Sequence, residues 1–407
     1  MDMQTSGVSV AGEVAAGFEG VRDVLAANLA DAGDGGFAFA AYVDGRKVVD
    51  LWAGMIDGAP WRPEATPLWM SVTKAFTALC VQILWDRRAL DVDAPVARYW
   101  PEFAASGKDT ITVADVMTHR SGVLGSQELT DLISLEDGSG IDRTQEIVDI
   151  IARAQPLWKP GTKTGYHTLT YGWILGEVIR RLDGRSLDRF FREEVALPLD
   201  VQDVSIGVPR ESQAAIPDLL PMMWPEAMPE QLRADVQSLL AQARDATTPA
   251  GVSCIARNGV GILDRAPEVF NSPPGRTAPL GGSNLAGTAA GVAKIFGTLA
   301  RPNGGGLVSA ASMEAFTTVR NSDPDLVTMV PIARALGYWR NISLAGRPQV
   351  FGPNDEAFGH SGFGGQLGFA DPVSHVGAAF VRTHLTSFGL LPLLLNAALY
   401  QAIDASG

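Results

Sequence analysis

The sequence predicts an α+β protein in which a mainly helical lobe is inserted into an α/β lobe built from both ends of the chain. Three observations carry this reading. Phe18, Val21, Val24, Leu25 and Leu29 recur at helical spacing and lead into FAFAAYVDGRKVVDLWAG, two alternating strands about an Asp44-Gly45 turn. The far end mirrors this, because LGYWRN, AFGHSG, GQLGFADP and HVGAAFVRT read as short strands and Leu390 to Ile403 as a closing helix. Between them SVTKAFTALCVQILWDRRAL, VADVMTHRSG, IVDIIARA and TYGWILGEVIRRLDG give apolar residues at helical intervals, with Gly or Pro at several ends. The expected organisation is a single unit over residues 1–407. Its α/β lobe comprises 10–65 and 275–407, and its helical lobe 66–200. The remaining stretch, 201–274, is rich in Pro and Met with weak periodicity, and reads as an excursion over a pocket or as a surface loop without structure.

Composition limits the partners. A chain of 407 residues with 46% hydrophobic and 19% charged residues has ample apolar material for a large core. A net charge of -13 argues against nucleic acid or an anionic membrane as partner, since both require a basic surface. A small molecule is the expected partner, and the oligomeric state is left open. Two cysteines, Cys80 and Cys254, make no disulfide framework, and Cys80 lies in an apolar run as a buried thiol would. MDMQTSGVSVAGEV has neither a basic n-region nor an apolar h-region, and LLPLLLNAALY falls short of the roughly 20 residues needed to span a bilayer. The expectation is a soluble, cytoplasmic protein.

Several chemistries lack their motif. Gly281-Gly282-Ser283 and Gly359-His360-Ser361 continue to Leu285 and Phe363, where a nucleophile elbow needs glycine. The five histidines show no metal-ligand spacing, and SGFGGQLG has Leu367 in place of the last dinucleotide-binding glycine. No metal or cofactor is expected. What remains is WMSVTKAF, in which Ser71 and Lys74 stand one helical turn apart, so that the amine lies beside the hydroxyl. Phe76, Leu79, Cys80, Ile83 and Leu84 mark this helix as buried, and a lysine there demands a partner or a lowered pKa. The alternative is that Ser71 caps the helix and Lys74 reaches solvent. A Ser-Lys pair also needs a group to shuttle the serine proton, and a tyrosine beside the ammonium can do so as a stabilised phenolate. In KPGTKTGYHTLTYGW the loop residue Tyr166 is placed for this, while Tyr171 on the following helix is placed to pack.

These residues resemble the penicillin-recognising serine hydrolases: class C β-lactamases, DD-peptidases and family VIII carboxylesterases. Four features occur in the family's order: Ser71-Val72-Thr73-Lys74, the DVDAPVARYWPEF and VADVMTHRSGV segments, Pro160-Gly161-Thr162 followed by Tyr166, and FGHSGFGGQLGFADP. The resemblance implies a β-lactamase/transpeptidase-like fold, an antiparallel sheet flanked by N- and C-terminal helices with an inserted helical lobe. It implies Ser71 as nucleophile, Lys74 and Tyr166 as the base, and the backbone N–H groups of Ser71 and Phe363 as the oxyanion hole. The family's Lys-Thr-Gly triplet corresponds to His360-Ser361-Gly362, and Lys163-Thr164-Gly165 matches only in letters.

Two departures separate this sequence from the penicillin-directed branches. His360 replaces a fixed cation that would attract a substrate carboxylate, and Thr168 stands where an asparagine amide would both donate and accept. Both changes resemble the carboxylesterase branch. The expected function is therefore hydrolysis of short- to medium-chain carboxylic esters through an acyl-enzyme on Ser71. His360, Gly362, His167, Thr168 and Trp224 would line the substrate, with Met222, Met223 and Met228 joining Trp224 in an apolar wall unless they serve core packing. His119 reads as a structural contact, and Asp91 and Asp93 as loop and helix-start residues. The alternatives are an amide hydrolase or weak β-lactamase, an acyltransferase using the same acyl-enzyme, and a binding protein that keeps only the fold.

Overall fold

Side-chain alternation in the strand Gly36–Val43 divides the molecule in two. Phe37, Phe39 and Ala41 enter one apolar core while Ala38 and Ala40 enter another, as the two-residue period of a strand covered on both faces requires. The computed structural model describes residues 9–224, 228–344, 349–386 and 389–406, and it places this strand centrally in an eight-stranded sheet. Gly36–Val43 pairs with Arg46–Ile56 on one side and with Val376–Arg382 on the other, the latter from Val376 opposite Val43 to Arg382 opposite Phe37. Both ends of the chain therefore build one sheet.

Its order is Ala11–Val14, Arg46–Ile56, Gly36–Val43, Val376–Arg382, Gln366–Asp371, Phe358–Gly362 and Trp339–Arg340, with Ala59–Pro60 added beside Met55 and Ile56. Every neighbouring pair in it is antiparallel. Asp44 and Gly45 take φ of 50° and 77°, the two positive values that a tight hairpin of this hand needs. The strand Ala11–Val14 precedes the predicted first helix and escaped the sequence reading, because four residues, none of them buried, carry too little alternation.

The two terminal helices, Glu19–Ala27 and Leu390–Ser406, pack together over the Phe37 and Phe39 face, where Val21 and Leu25 join Leu391, Leu395 and Leu399. The opposite face carries the helix Ala289–Leu299. That contact is close, since a Cβ on Gly377 would come 1.9 Å from the Gly297 nitrogen. Behind it lies the helix Thr73–Asp86, buried at every position from Thr73 to Leu84, its polar Thr73, Lys74, Thr77 and Gln82 included. It packs on Thr170–Asp183 and Leu187–Phe191, with Phe76 against Phe191 and Phe296.

Residues 201–274 hold more regular structure than their weak periodicity suggests. Ser205–Ile206 pairs with Leu285–Ala286, and Leu220–Met223 runs parallel to His384–Thr386. The helix Glu230–Ala243 buries only Leu240 and Ala243, so its sequence has little apolar stripe to reveal it. Among the described residues no helix is long and apolar enough to cross a membrane.

The Gly377 contact gives a direct test of this layering. Gly377→Ala should lower stability by about 1–3 kcal/mol, the usual cost of forcing a methyl into a packed interface. Thermal unfolding measures it, and an unchanged melting temperature would show that helix and sheet part freely.

Candidate active site

Ser71 sits in the turn that opens the helix Thr73–Asp86, partly exposed, and its carbonyl already accepts the Lys74 N–H at 3.0 Å. One turn on, Lys74 is fully buried, so it does not reach solvent as the alternative reading required. Its Nζ donates to the carbonyls of Gly282 at 2.8 Å and Thr168 at 3.0 Å, and lies 3.3 Å from Ser71 Oγ. Gly282 permits that approach, because a Cβ there would stand 3.3 Å from Nζ. Burial holds the Lys74 amine well below its ordinary pKa, since the ammonium form loses its hydration.

Tyr166 is brought in from the loop. Its N–H donates to Asp325 Oδ1 at 3.2 Å, its carbonyl accepts from Ser253 Oγ at 2.6 Å, and its ring centroid lies 4.7 Å from Lys74 Nζ. The sequence reading expected the nearby ammonium to lower the phenol's pKa. The structure corrects this: burial raises it, with the neighbouring Ser71 hydroxyl as the largest opposing influence. The phenol oxygen is buried and faces that hydroxyl at a geometry short of a full hydrogen bond.

Asp325 is the hub behind the tyrosine, and nothing in the sequence pattern marked it. Its Oδ1 also accepts from the N–H groups of Val327 at 2.7 Å and Thr328 at 2.8 Å, while Oδ2 takes Arg334 Nη2 at 2.6 Å in a fully buried ion pair. Thr164, of the triplet that precedes the tyrosine, serves the same loop: it accepts from Asn321 Nδ2 at 2.6 Å through its hydroxyl and from Leu326 N–H at 2.9 Å through its carbonyl. The Lys163-Thr164-Gly165 triplet thus lies on the tyrosine loop, and a Cβ on Gly165 would strike the Trp158 ring at 2.5 Å.

The strand Phe358–Gly362 approaches the nucleophile from the sheet side. A Cβ on Gly362 would lie 3.4 Å from the Ser71 nitrogen, and the hairpin turn carrying Phe363 follows immediately. His360 is buried, with its ring centroid 4.3 Å from that of Trp339, 6.1 Å from that of Tyr166, and Nδ1 2.6 Å from the Ser361 carbonyl.

Three of the expected substrate-lining residues do otherwise. His167 is fully buried, its Nδ1 3.0 Å from His119 Nδ1 and its Nε2 2.6 Å from Ser121 Oγ. Both ring nitrogens are engaged, and burial pushes its pKa down to about 3, so a neutral structural histidine replaces the expected pocket residue. Thr168 spends its hydroxyl on Ser253 Oγ at 2.8 Å, and its contribution to the site is the carbonyl that holds Lys74. Trp224 lines a cleft of about 220 Å³ with Met222, Leu240 and Leu385 and with the charged Arg244, Asp264 and Glu268, and the Arg233 guanidinium stands 5.3 Å over its ring. That cleft is lined by none of Ser71, Lys74 and Tyr166, though Leu385 also abuts Gly364 beside Phe363. Among the described residues no cluster of three metal-ligating side chains occurs.

Known proteins share the family and the fold of this chain. The Beta-lactamase family matches residues 21–394. The chain belongs to the beta-lactamase family. Within it, the chain is 33% identical over 368 residues to "Esterase/beta-lactamase LipL" of Mycobacterium tuberculosis, covering 87% of this chain and 78% of that protein. A solved family VIII carboxylesterase superposes with a TM-score of 0.81 at 30% identity, covering 97% of this chain and all (100%) of the other. EstA from Arthrobacter nitroguajacolicus Rue61a superposes with a TM-score of 0.79 at 26% identity, covering 97% and 98%. The family's fold is the one described above, and the protein is a serine hydrolase of it.

The Asp325–Arg334 pair sets an expectation for stability. Arg334→Met leaves a buried carboxylate without its partner and should cost about 3–5 kcal/mol. Denaturant unfolding of this variant beside the double variant Asp325→Asn/Arg334→Met checks it: the double variant should recover part of the loss, and equal losses would deny that the pair is coupled.

Proposed function

We propose that the protein is a carboxylesterase that hydrolyses short- to medium-chain carboxylic esters through an acyl-enzyme on Ser71. The observation that carries this is the Lys74 amine, fully buried and 3.3 Å from the Ser71 hydroxyl. Its burial-lowered pKa makes the neutral amine accessible, and the neutral amine can take the serine proton directly. Ser71 Oγ then bonds to the ester carbonyl carbon. The resulting oxyanion is held by the backbone N–H groups of Ser71 and Phe363. When the tetrahedral intermediate collapses, the carbon–alkoxide bond breaks and the alkoxide takes a proton from Tyr166, which Lys74 replenishes. A water molecule repeats the sequence on the acyl group and returns the proton to Ser71. This shifts the base from the Tyr166 phenolate to Lys74, because the amine lies 3.3 Å from the Ser71 hydroxyl and burial favours the neutral form of both groups.

Preference for esters over amides and β-lactams rests on what faces the substrate. His360, packed on Trp339, occupies the position of a lysine in the penicillin-directed branch, and the Thr168 hydroxyl is already committed to Ser253. Neither supplies the fixed cation or the amide pair that those substrates use. The solved family VIII carboxylesterase supports the reading, and the name of LipL supports β-lactam opening as a lesser activity.

Two experiments test this. Initial rates on p-nitrophenyl esters and a chromogenic cephalosporin should show ester turnover that falls at least about 10²-fold in Ser71→Ala and in Tyr166→Phe, with little β-lactam opening. Turnover surviving in Ser71→Ala would discard the nucleophile. The pH profile separates the two bases. Because a general base works only when deprotonated, kcat/KM should rise with pH through one ionisation below the ordinary lysine value, and Tyr166→Phe should keep that limb at lower amplitude. Loss of the limb in Tyr166→Phe would restore the tyrosine as base.

A further inference from the structure

We propose that Gln366 is the positioning residue of the oxyanion hole, holding the Ser71 N–H and the Phe363 turn at a fixed separation. This rests on the Ser71 acyl-enzyme reading above. Gln366 is almost completely buried, at 1% exposure, and its side-chain amide is spent entirely on the segment that leads to the nucleophile. Oε1 accepts from the Met70 N–H at 2.6 Å, and Nε2 donates to the Leu68 carbonyl at 2.8 Å.

These two bonds imitate one rung of a β-ladder between segments that do not pair through their backbones: Leu68–Trp69 pairs with Leu285–Ala286, whereas Gln366–Asp371 pairs with Phe358–Gly362 and Val376–Arg382. Opposite Gln366 across the hairpin stands Gly362, the residue before Phe363. A Cβ on Gly362 would lie 2.9 Å from Gln366 Oε1 and 3.4 Å from the Ser71 nitrogen, so the amide, the turn and the nucleophile's N–H share one contact.

The two oxyanion donors come from elements far apart in the chain and must converge on one oxygen at about 2.7–3.1 Å. Helix and sheet packing alone set such a distance only loosely. A buried bidentate amide bridging residues 68 and 70 to the hairpin fixes it directly. Gln366 touches no substrate in this arrangement and acts through Ser71 and Phe363.

The test uses Gln366→Met, which keeps length and loses both bonds, and Gln366→Glu. On a p-nitrophenyl ester, well below each variant's melting temperature, Gln366→Met should lower kcat about 10- to 100-fold while KM stays within a few-fold, the signature of misplaced transition-state donors. Affinity for a trifluoromethyl ketone, whose hemiketal oxygen occupies the oxyanion hole, should fall in parallel. In Gln366→Glu the protonated carboxyl restores both bonds, its carbonyl accepting from Met70 N–H and its O–H donating to the Leu68 carbonyl; the carboxylate repels that carbonyl. Its rate relative to wild type should therefore rise as pH falls. This second variant carries the test if Gln366→Met folds poorly. Wild-type kcat and ketone affinity in Gln366→Met, or a pH-independent ratio for Gln366→Glu, would overturn the assignment while an inactive Ser71→Ala leaves the acyl-enzyme standing. Full activity in Ser71→Ala would instead remove the reading beneath it.

Discussion

The site depends on an amine with no access to water. Lys74 gives up its hydration, and the chain answers with two carbonyls, Gly282 and Thr168, brought from distant parts of the sequence to a single nitrogen. Much of the local architecture follows from that constraint. The Gly281-Gly282 loop must lie flat against the helix, and Thr77 secures it by donating to the Gly281 carbonyl at 2.7 Å. The helix Thr170–Asp183 must come equally close, and Gly172 allows it, since a Cβ there would fall 1.8 Å from the Leu280 carbonyl. Burial then does two things at once: it lowers the lysine's affinity for its proton and leaves the serine hydroxyl as the partly exposed neighbour of that amine.

A second constraint holds the tyrosine. A loop residue lacks the helical register that fixes Lys74, so its position has to be imposed from outside. Asp325 does this with one carboxylate, taking three backbone N–H groups on Oδ1 and the Arg334 guanidinium on Oδ2. The ion pair is costly to bury. Its return is a rigid loop that presents a buried phenol to the serine. Beside it the His119–His167–Ser121 chain fills what would otherwise be a polar void, and both histidines stay neutral because burial lowers their pKa values.

Differences within the family are read most easily where a residue type changes while the backbone stays. The strand Phe358–Gly362 still passes against Ser71, and the tyrosine loop still ends at Lys74. On the proposed reading, what sets this chain apart is the set of side chains available to a substrate. An imidazole packed at a tilt against an indole and a hydroxyl committed to Ser253 offer little to a carboxylate or an amide. Ester chemistry asks less of the pocket, because the leaving alkoxide needs only a proton.

Much of this was legible in the sequence. Ser71 and Lys74 share a helix face by local geometry, Asp44-Gly45 announces its hairpin, and the apolar periodicity of both chain ends implies terminal helices over a common sheet. These are short-range regularities, written in spacing. The sequence by itself could not place the Gly282 carbonyl on Lys74, Asp325 behind Tyr166 or Gln366 against Met70, which bridge separations of 208, 159 and 296 residues. Nor could it separate His167 as a buried structural residue from His167 as a pocket residue, or foresee that burial would raise the tyrosine's pKa. Periodicity records which face of an element is covered; what covers it, and therefore which polar groups meet and which protons are held, is decided only when distant segments pack together.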